Sequence, residues 1–135
     1  MGWLGRFLRG RRELLDTAEP ERRVRDAALS LECHIYGHAP VQADGRLSGY
    51  PFYFRARHCG WSFTLCTNAD IEPSALVEGD EPGFFHNGEY EGFALWGDYG
   101  SETEASYMPY AVAERLIREC AGRFLAERKP TEPRS

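Results

Sequence analysis

Between Tyr50 and Thr67 the chain reads YPFYFRARHCGWSFTLCT, two runs of alternating apolar and polar residues around a short break. Alternation with a period of two marks a half-buried strand, because successive side chains point to opposite faces. Two such runs predict a hairpin with Cys59-Gly60 as its two-residue loop, the glycine supplying the positive φ of a tight turn. That loop sets His58 against Trp61, Ala56 against Phe63, Phe54 against Leu65 and Phe52 against Thr67. One face is then apolar and belongs to a core. The other carries Tyr53, Arg55 and Arg57 opposite Cys66, Thr64 and Ser62, and has to meet either solvent or a partner.

The same pattern analysis extends along the chain. Asn87-Gly88 is a strong turn signal and predicts a second hairpin over 84–97, with Phe93 and Leu95 on one face and Ala94 and Trp96 on the other. Val112, Ala113, Leu116, Ile117, Cys120 and Phe124 recur at helical spacing behind Pro109, which suits a first helical turn, and Pro130 ends the stretch. Glu114–Arg118 and Glu119–Arg123 have the spacing of exposed pairs on that helix. Pro20, flanked by Glu19 and Glu21, predicts a helix from about Pro20 to Leu31 and leaves Cys33 to Tyr36 as a candidate strand. Residues 37–49 contain Pro40, Asp44-Gly45 and Gly49 and are expected to form a loop or a short irregular hairpin. Ser74 to Glu78 suits one helical turn. Residues 1–15 place Trp3, Leu4, Phe7, Leu8, Leu14 and Leu15 at helical spacing with arginines between them, an amphipathic helix weakened by its glycines. The tail 129–135 is expected to be mobile. Together these elements predict a single α+β domain over 1–135. It has an antiparallel sheet of about four or five strands packed against a C-terminal helix, with N-terminal helical segments.

Composition narrows the function classes. With 135 residues, 42% of them hydrophobic, the chain can bury a core without disulfides or metals. No apolar run approaches the ~20 residues of a membrane span, and Met1–Gly10 lacks the features of a secretory signal. The net charge of -5 argues against general nucleic-acid binding. That charge is unevenly placed: residues 1–12 hold arginines and no acid, whereas 70–104 are acidic with no Lys or Arg. Lys129 is the one lysine, a bias that suggests a GC-rich bacterial source. Four widely spaced cysteines without a signal segment point to a reduced, cytoplasmic protein.

Candidate chemistry is sparse. The chain has no Gly-x-Ser-x-Gly elbow, no glycine-rich phosphate loop and no dinucleotide fingerprint. Cys33, His34, His38, His58, Cys59 and His86 are residue types that bind zinc, but their spacing matches no zinc motif, so no metal or other cofactor is expected. His58 and Cys59 are neighbours, and neighbours on a strand point apart. The remaining candidate is the polar hairpin face. Arg55 and Arg57 project together beside Tyr53, and arginine suits bidentate recognition of carboxylate or phosphate. These residues predict a small non-catalytic protein of the adaptor, inhibitor or immunity-like kind, acting through another protein. A metal- or thiol-dependent enzyme is the alternative. A third reading is a membrane-surface accessory protein held on anionic lipid by residues 3–15.

Overall fold

The computed structural model describes residues 20–73 and 81–128. Its strands are β1 (Arg22–Asp26), β2 (Leu31–Tyr36), β3 (Val41–Leu47), β4 (Tyr50–Arg57), β5 (Gly60–Cys66), β6 (Gly83–Asn87) and β7 (Tyr90–Asp98), followed by helix α1 (Tyr110–Glu127). They form one antiparallel sheet in the order β1-β2-β3-β4-β5-β7-β6. The α+β content and the antiparallel sheet agree with expectation. The sheet of about four or five strands and the helix over Pro20–Leu31 do not: seven strands pair, and the structure describes one long helix, at the C-terminal end. The amphipathic segment 1–15, the Ser74–Glu78 turn and the 129–135 tail lie outside the described residues.

Each correction has a physical cause. In the stretch read as a helix, Val24 is the one buried apolar residue of Arg22–Asp26, and pairing with β2 satisfies the backbone instead. Asp26 then caps a short 3-10 turn by accepting from the Leu29 N–H at 3.1 Å, and Ser30 leaves it at φ 53°. In the stretch read as a loop, Val41, Ala43 and Leu47 alternate with Gln42, Asp44 and Arg46, and the period of two prevails over the Asp44-Gly45 turn signal.

Both hairpins turn one residue away from the expected place. The first loop is His58-Cys59, so Ala56 faces Trp61, Phe54 faces Phe63 and Phe52 faces Leu65. His58 takes the positive φ of 60° itself. Contacts from elsewhere hold it there. Its N–H donates to Ser106 Oγ at 2.9 Å, its carbonyl accepts from the Ala105 N–H at 2.8 Å, and the Cys59 carbonyl accepts from the Tyr99 N–H at 2.7 Å. Gly60 serves a different purpose, since a Cβ there would sit 2.9 Å from the Gly97 carbonyl oxygen. The second loop is Gly88-Glu89, with Asn87 paired to Tyr90. A shift of one in the loop moves the register by two, which leaves every side chain on its expected face.

The inner face of the sheet forms the core with α1. Phe52, Phe54, Ala56, Phe63, Leu65 and Phe93 are buried there, and the helix contributes Tyr110, Ala113, Ile117, Cys120, Ala121 and Phe124. Ring contacts join the layers, with Phe93 and Phe124 centroids 5.3 Å apart. Glu114 and Arg118 are not a solvent-facing pair but turn toward β1. Arg22 donates to Glu114 at 2.8 Å, and Arg118 donates both to Glu114 at 2.8 Å and to Asp26.

Candidate functional site

The outer face of the sheet divides into a covered part and an open part. After β5 the chain runs back across this face, where Asp70 accepts from Arg46 of β3 at 2.8 Å and Pro73 is buried. Thr64, Cys66 and Ala94 are buried on this side, which corrects the expectation that Thr64 and Cys66 belong to an open polar surface. Toward the His58-Cys59 tip the face stays open. Arg55, Ser62 and Trp96 stand side by side there in one row across β4, β5 and β7. Cross-strand neighbours of this kind have Cβ atoms about 4.5–5.5 Å apart.

These residues line a shallow depression of about 270 Å³ together with Arg57, Trp61 and Gly97. Trp96 keeps 39% of its surface exposed and, with Phe84 and Tyr107, is one of the exposed large apolar side chains among the described residues. Arg57 is exposed, and Arg55 is half-buried. The Nε of Arg55 is buried with no hydrogen-bond acceptor, and neither Arg55 nor Arg57 forms an ion pair among the described residues. Arg46, on the same face, is matched by Asp70. Among the described residues, the open patch therefore holds cationic donors without an acidic partner.

Beside the patch, two phenols are fixed as donors. Tyr53 donates to Gln42 Oε1 at 2.7 Å and Tyr36 to Asp44 Oδ2 at 2.8 Å. Burial raises the pKa of Tyr53 while the nearby Arg55 charge opposes the rise. Burial raises that of Tyr36 as well, reinforced by its bond to Asp44, because a carboxylate acceptor favours the protonated phenol. Both remain neutral at physiological pH. Tyr53, Arg55 and Arg57 thus share one face as expected, with Tyr53 turned onto β3 through Gln42.

Trp96 completes the patch, and sequence reasoning did not join it to the arginines, although it did place Ser62 on their face, there opposite Arg57 and not Arg55. Alternation along 93–96 assigns Trp96 to the face opposite Phe93 and Leu95. Nothing in the pattern says that β7, and not β6, lies against β5.

The residues considered for metal or thiol chemistry are scattered. Cys33 lies on the inner face of β2, and His34 lies on the outer face with its Nε2 2.8 Å from Glu21. His38 packs its ring against Tyr107, His58 and Cys59 form the hairpin tip, and His86 sits on β6 at 4.0 Å from Glu91. Among the described residues no group of three or more His, Cys, Asp or Glu is placed to hold a metal ion. Burial pushes the Cys33 and Cys120 thiols up to about 12, with the Glu114 charge adding to the rise at Cys33 and that of Glu119 at Cys120. Comparison with protein-family models, curated proteins and solved structures yields no match.

Proposed function

We propose that the protein is a small non-catalytic binding module, of the adaptor, inhibitor or immunity-like kind, that takes a carboxylate of a protein partner on Arg55 and Arg57. The observation that carries this reading is the buried, unmatched Nε of Arg55 beside exposed Trp96. A buried donor without an acceptor costs of order 1–3 kcal/mol, and a carboxylate that engages the guanidinium fork, with the Arg55 side chain turning to admit it, would remove that deficit. Tryptophan, tyrosine and arginine are the residues that concentrate binding energy at interfaces, and Trp96, Tyr53, Arg55 and Arg57 bring them together. The net charge of -5 favours an acidic group on a protein over a polyanion, which the acidic stretch 70–104 would repel. A reducing, cytoplasmic setting accords with this reading, since Cys33, Cys59, Cys66 and Cys120 are all free.

The alternative of a metal- or thiol-dependent enzyme has less support, because two of the buried thiols titrate far above neutrality and thiolates are the reactive form. The membrane-surface reading rests on residues 3–15, which lie outside the described residues. No helix among the described residues is long and apolar enough to cross a membrane.

The deciding experiment compares capture by the immobilised wild type with capture by the Arg55→Ala, Arg57→Ala double variant, after circular dichroism has established that the variant is folded. A partner retained by the wild type, released by salt and missing from the double variant is the expected result. Equal capture by the double variant overturns the site. Near-stoichiometric zinc in the purified protein, lost on replacing Cys33 or His58, would favour the enzyme instead.

A further inference from the structure

Among the described residues the sheet does not close, and β1 and β6 each have one side that no described strand pairs with. Which backbone groups are left over follows from the ladders. The Ser48 N–H donates to the Ser30 carbonyl at 2.8 Å, which continues the β2–β3 ladder. Residues of even number on β2 therefore bond to β3 and those of odd number to β1, because alternate residues of a strand direct their N–H and C=O to opposite sides. On β1 this leaves the N–H and C=O of Arg23 and Arg25 aimed outward. At the other edge the Thr67 N–H donates to the Glu91 carbonyl at 2.8 Å, continuing the β5–β7 ladder. Tyr90, Gly92 and Ala94 then bond to their partners Asn87, Phe85 and Gly83 on β6. The outward groups of β6 are those of Phe84 and His86.

The two edges differ in how they are protected. An open edge is a template for another strand, and arginine side chains are one means of blocking it. On β1 a second copy of the strand would set Arg23 against Arg25, like charges directly opposite one another. Strand β6, Gly-Phe-Phe-His-Asn, has no Lys, Arg, Asp, Glu or Pro. Phe84 leaves 48% of its surface exposed at that edge although its ring touches Phe93 and Phe124 at 4.9 and 5.7 Å.

We propose that β6 pairs antiparallel with β6 of a second copy about a two-fold axis at Phe85, so that two sheets become one. In this register Phe84 of each copy faces His86 of the other, and each pair exchanges both of its N–H to carbonyl bonds. All the outward groups of the edge are then satisfied. On the inner face the exposed Phe84 ring gains cover from His86 of the second copy, whose own copy holds Glu91 4.0 Å away. On the outer face the two Phe85 side chains meet across the axis, and Phe85 is already positioned by its ring over Gly92, where a Cβ would come within 2.7 Å of Cζ. Within Gly83–Asn87 no like charges are opposed. The pairing is isologous and closes at two copies, whereas joining β6 to β1 of a neighbour would be head-to-tail and open-ended.

Sedimentation of the full chain with a His86→Pro variant tests the proposal. The His86 N–H points away from β7, so proline removes an outward donor and leaves the β6–β7 ladder in place. The expected result is a wild-type dimer and a folded, monomeric variant. A wild type that stays monomeric at all attainable concentrations overturns the proposal, and is the result expected if this edge serves a strand of some other protein. A second variant keeps the proposal testable if proline disturbs the hairpin. Phe85→Cys in a Cys59→Ser background should form an intermolecular disulfide on mild oxidation. Residues directly opposite in a non-hydrogen-bonded pair have Cα atoms about 4.5 Å apart, within the disulfide range of about 4.4–6.8 Å. A dimer that fails to cross-link at position 85 would show a different interface.

Discussion

Replacing Arg55 by methionine separates a residue kept for binding from one kept for folding. The side chain is half-buried, its Nε is buried without an acceptor, and its row neighbours are Ser62 and Trp96. Methionine retains an unbranched apolar stem of similar reach and removes the unmatched group. Leaving a buried donor unsatisfied costs roughly 1–3 kcal/mol, so its removal should stabilise the fold by about 1–2 kcal/mol once imperfect repacking is allowed for. For a chain of this length that corresponds to a rise in Tm of about 3–8 °C. Urea unfolding followed by tryptophan fluorescence reads the change directly, with an unchanged m-value showing that the folded and unfolded states are otherwise alike. Partner capture should fall at the same time. A loss of more than about 1 kcal/mol on the substitution would refute the reasoning, since it would mean that the guanidinium is satisfied within the fold and Arg55 is structural.

Phe54 is fully buried between Ala43 and Phe63 and stacks on Trp61 at 6.1 Å, so Phe54→Ala should cost about 3–5 kcal/mol in chemical unfolding, while exposed Arg57→Ala should stay within about 0.5 kcal/mol. Comparable losses for the two would mean that the faces of β4 are misassigned. Burial pushes the Glu114 carboxyl upward, but hydrogen bonds from Arg118 and Arg22 outweigh it and hold the pKa below the ordinary value. A lowered carboxyl pKa contributes stability that is present above the unfolded value of about 4.3 and is lost as the pH falls through the folded one. Glu114→Gln should therefore flatten the acid limb of a stability–pH curve, and an unchanged acid limb would refute the role of this carboxylate. Among the cysteines, Cys59 is exposed at the hairpin tip whereas Cys33, Cys66 and Cys120 are buried. One thiol per chain should react rapidly with a disulfide reagent in the native state and the others only on unfolding, as counted by the released chromophore.

What the sequence determined by itself is the local periodicity of its strongest elements. Alternation from Phe52 to Leu65 identified the strands and faces of β4 and β5, alternation from Phe93 to Trp96 did so for β7, and spacings of three and four from Val112 to Phe124 identified α1, because side-chain direction repeats every two residues in a strand and every 3.6 in a helix. Since Tyr53, Arg55 and Arg57 alternate with core residues, their common face was legible in the same way. Tertiary structure decided the rest. It selected His58-Cys59 over Cys59-Gly60 as the turn, because Ser106, Ala105 and Tyr99 bind the tip and Gly97 needs the space over Gly60. It made a strand of Arg22–Asp26, whose single buried residue leaves no periodic signal, through pairing with β2 and through ion pairs to Glu114 and Arg118, each reaching 92 residues along the chain. It also placed β7 between β5 and β6, which set Trp96 beside Arg55 and made β6 an edge. Strand order is a matter of contacts between distant segments, and local periodicity carries no information about which segments meet.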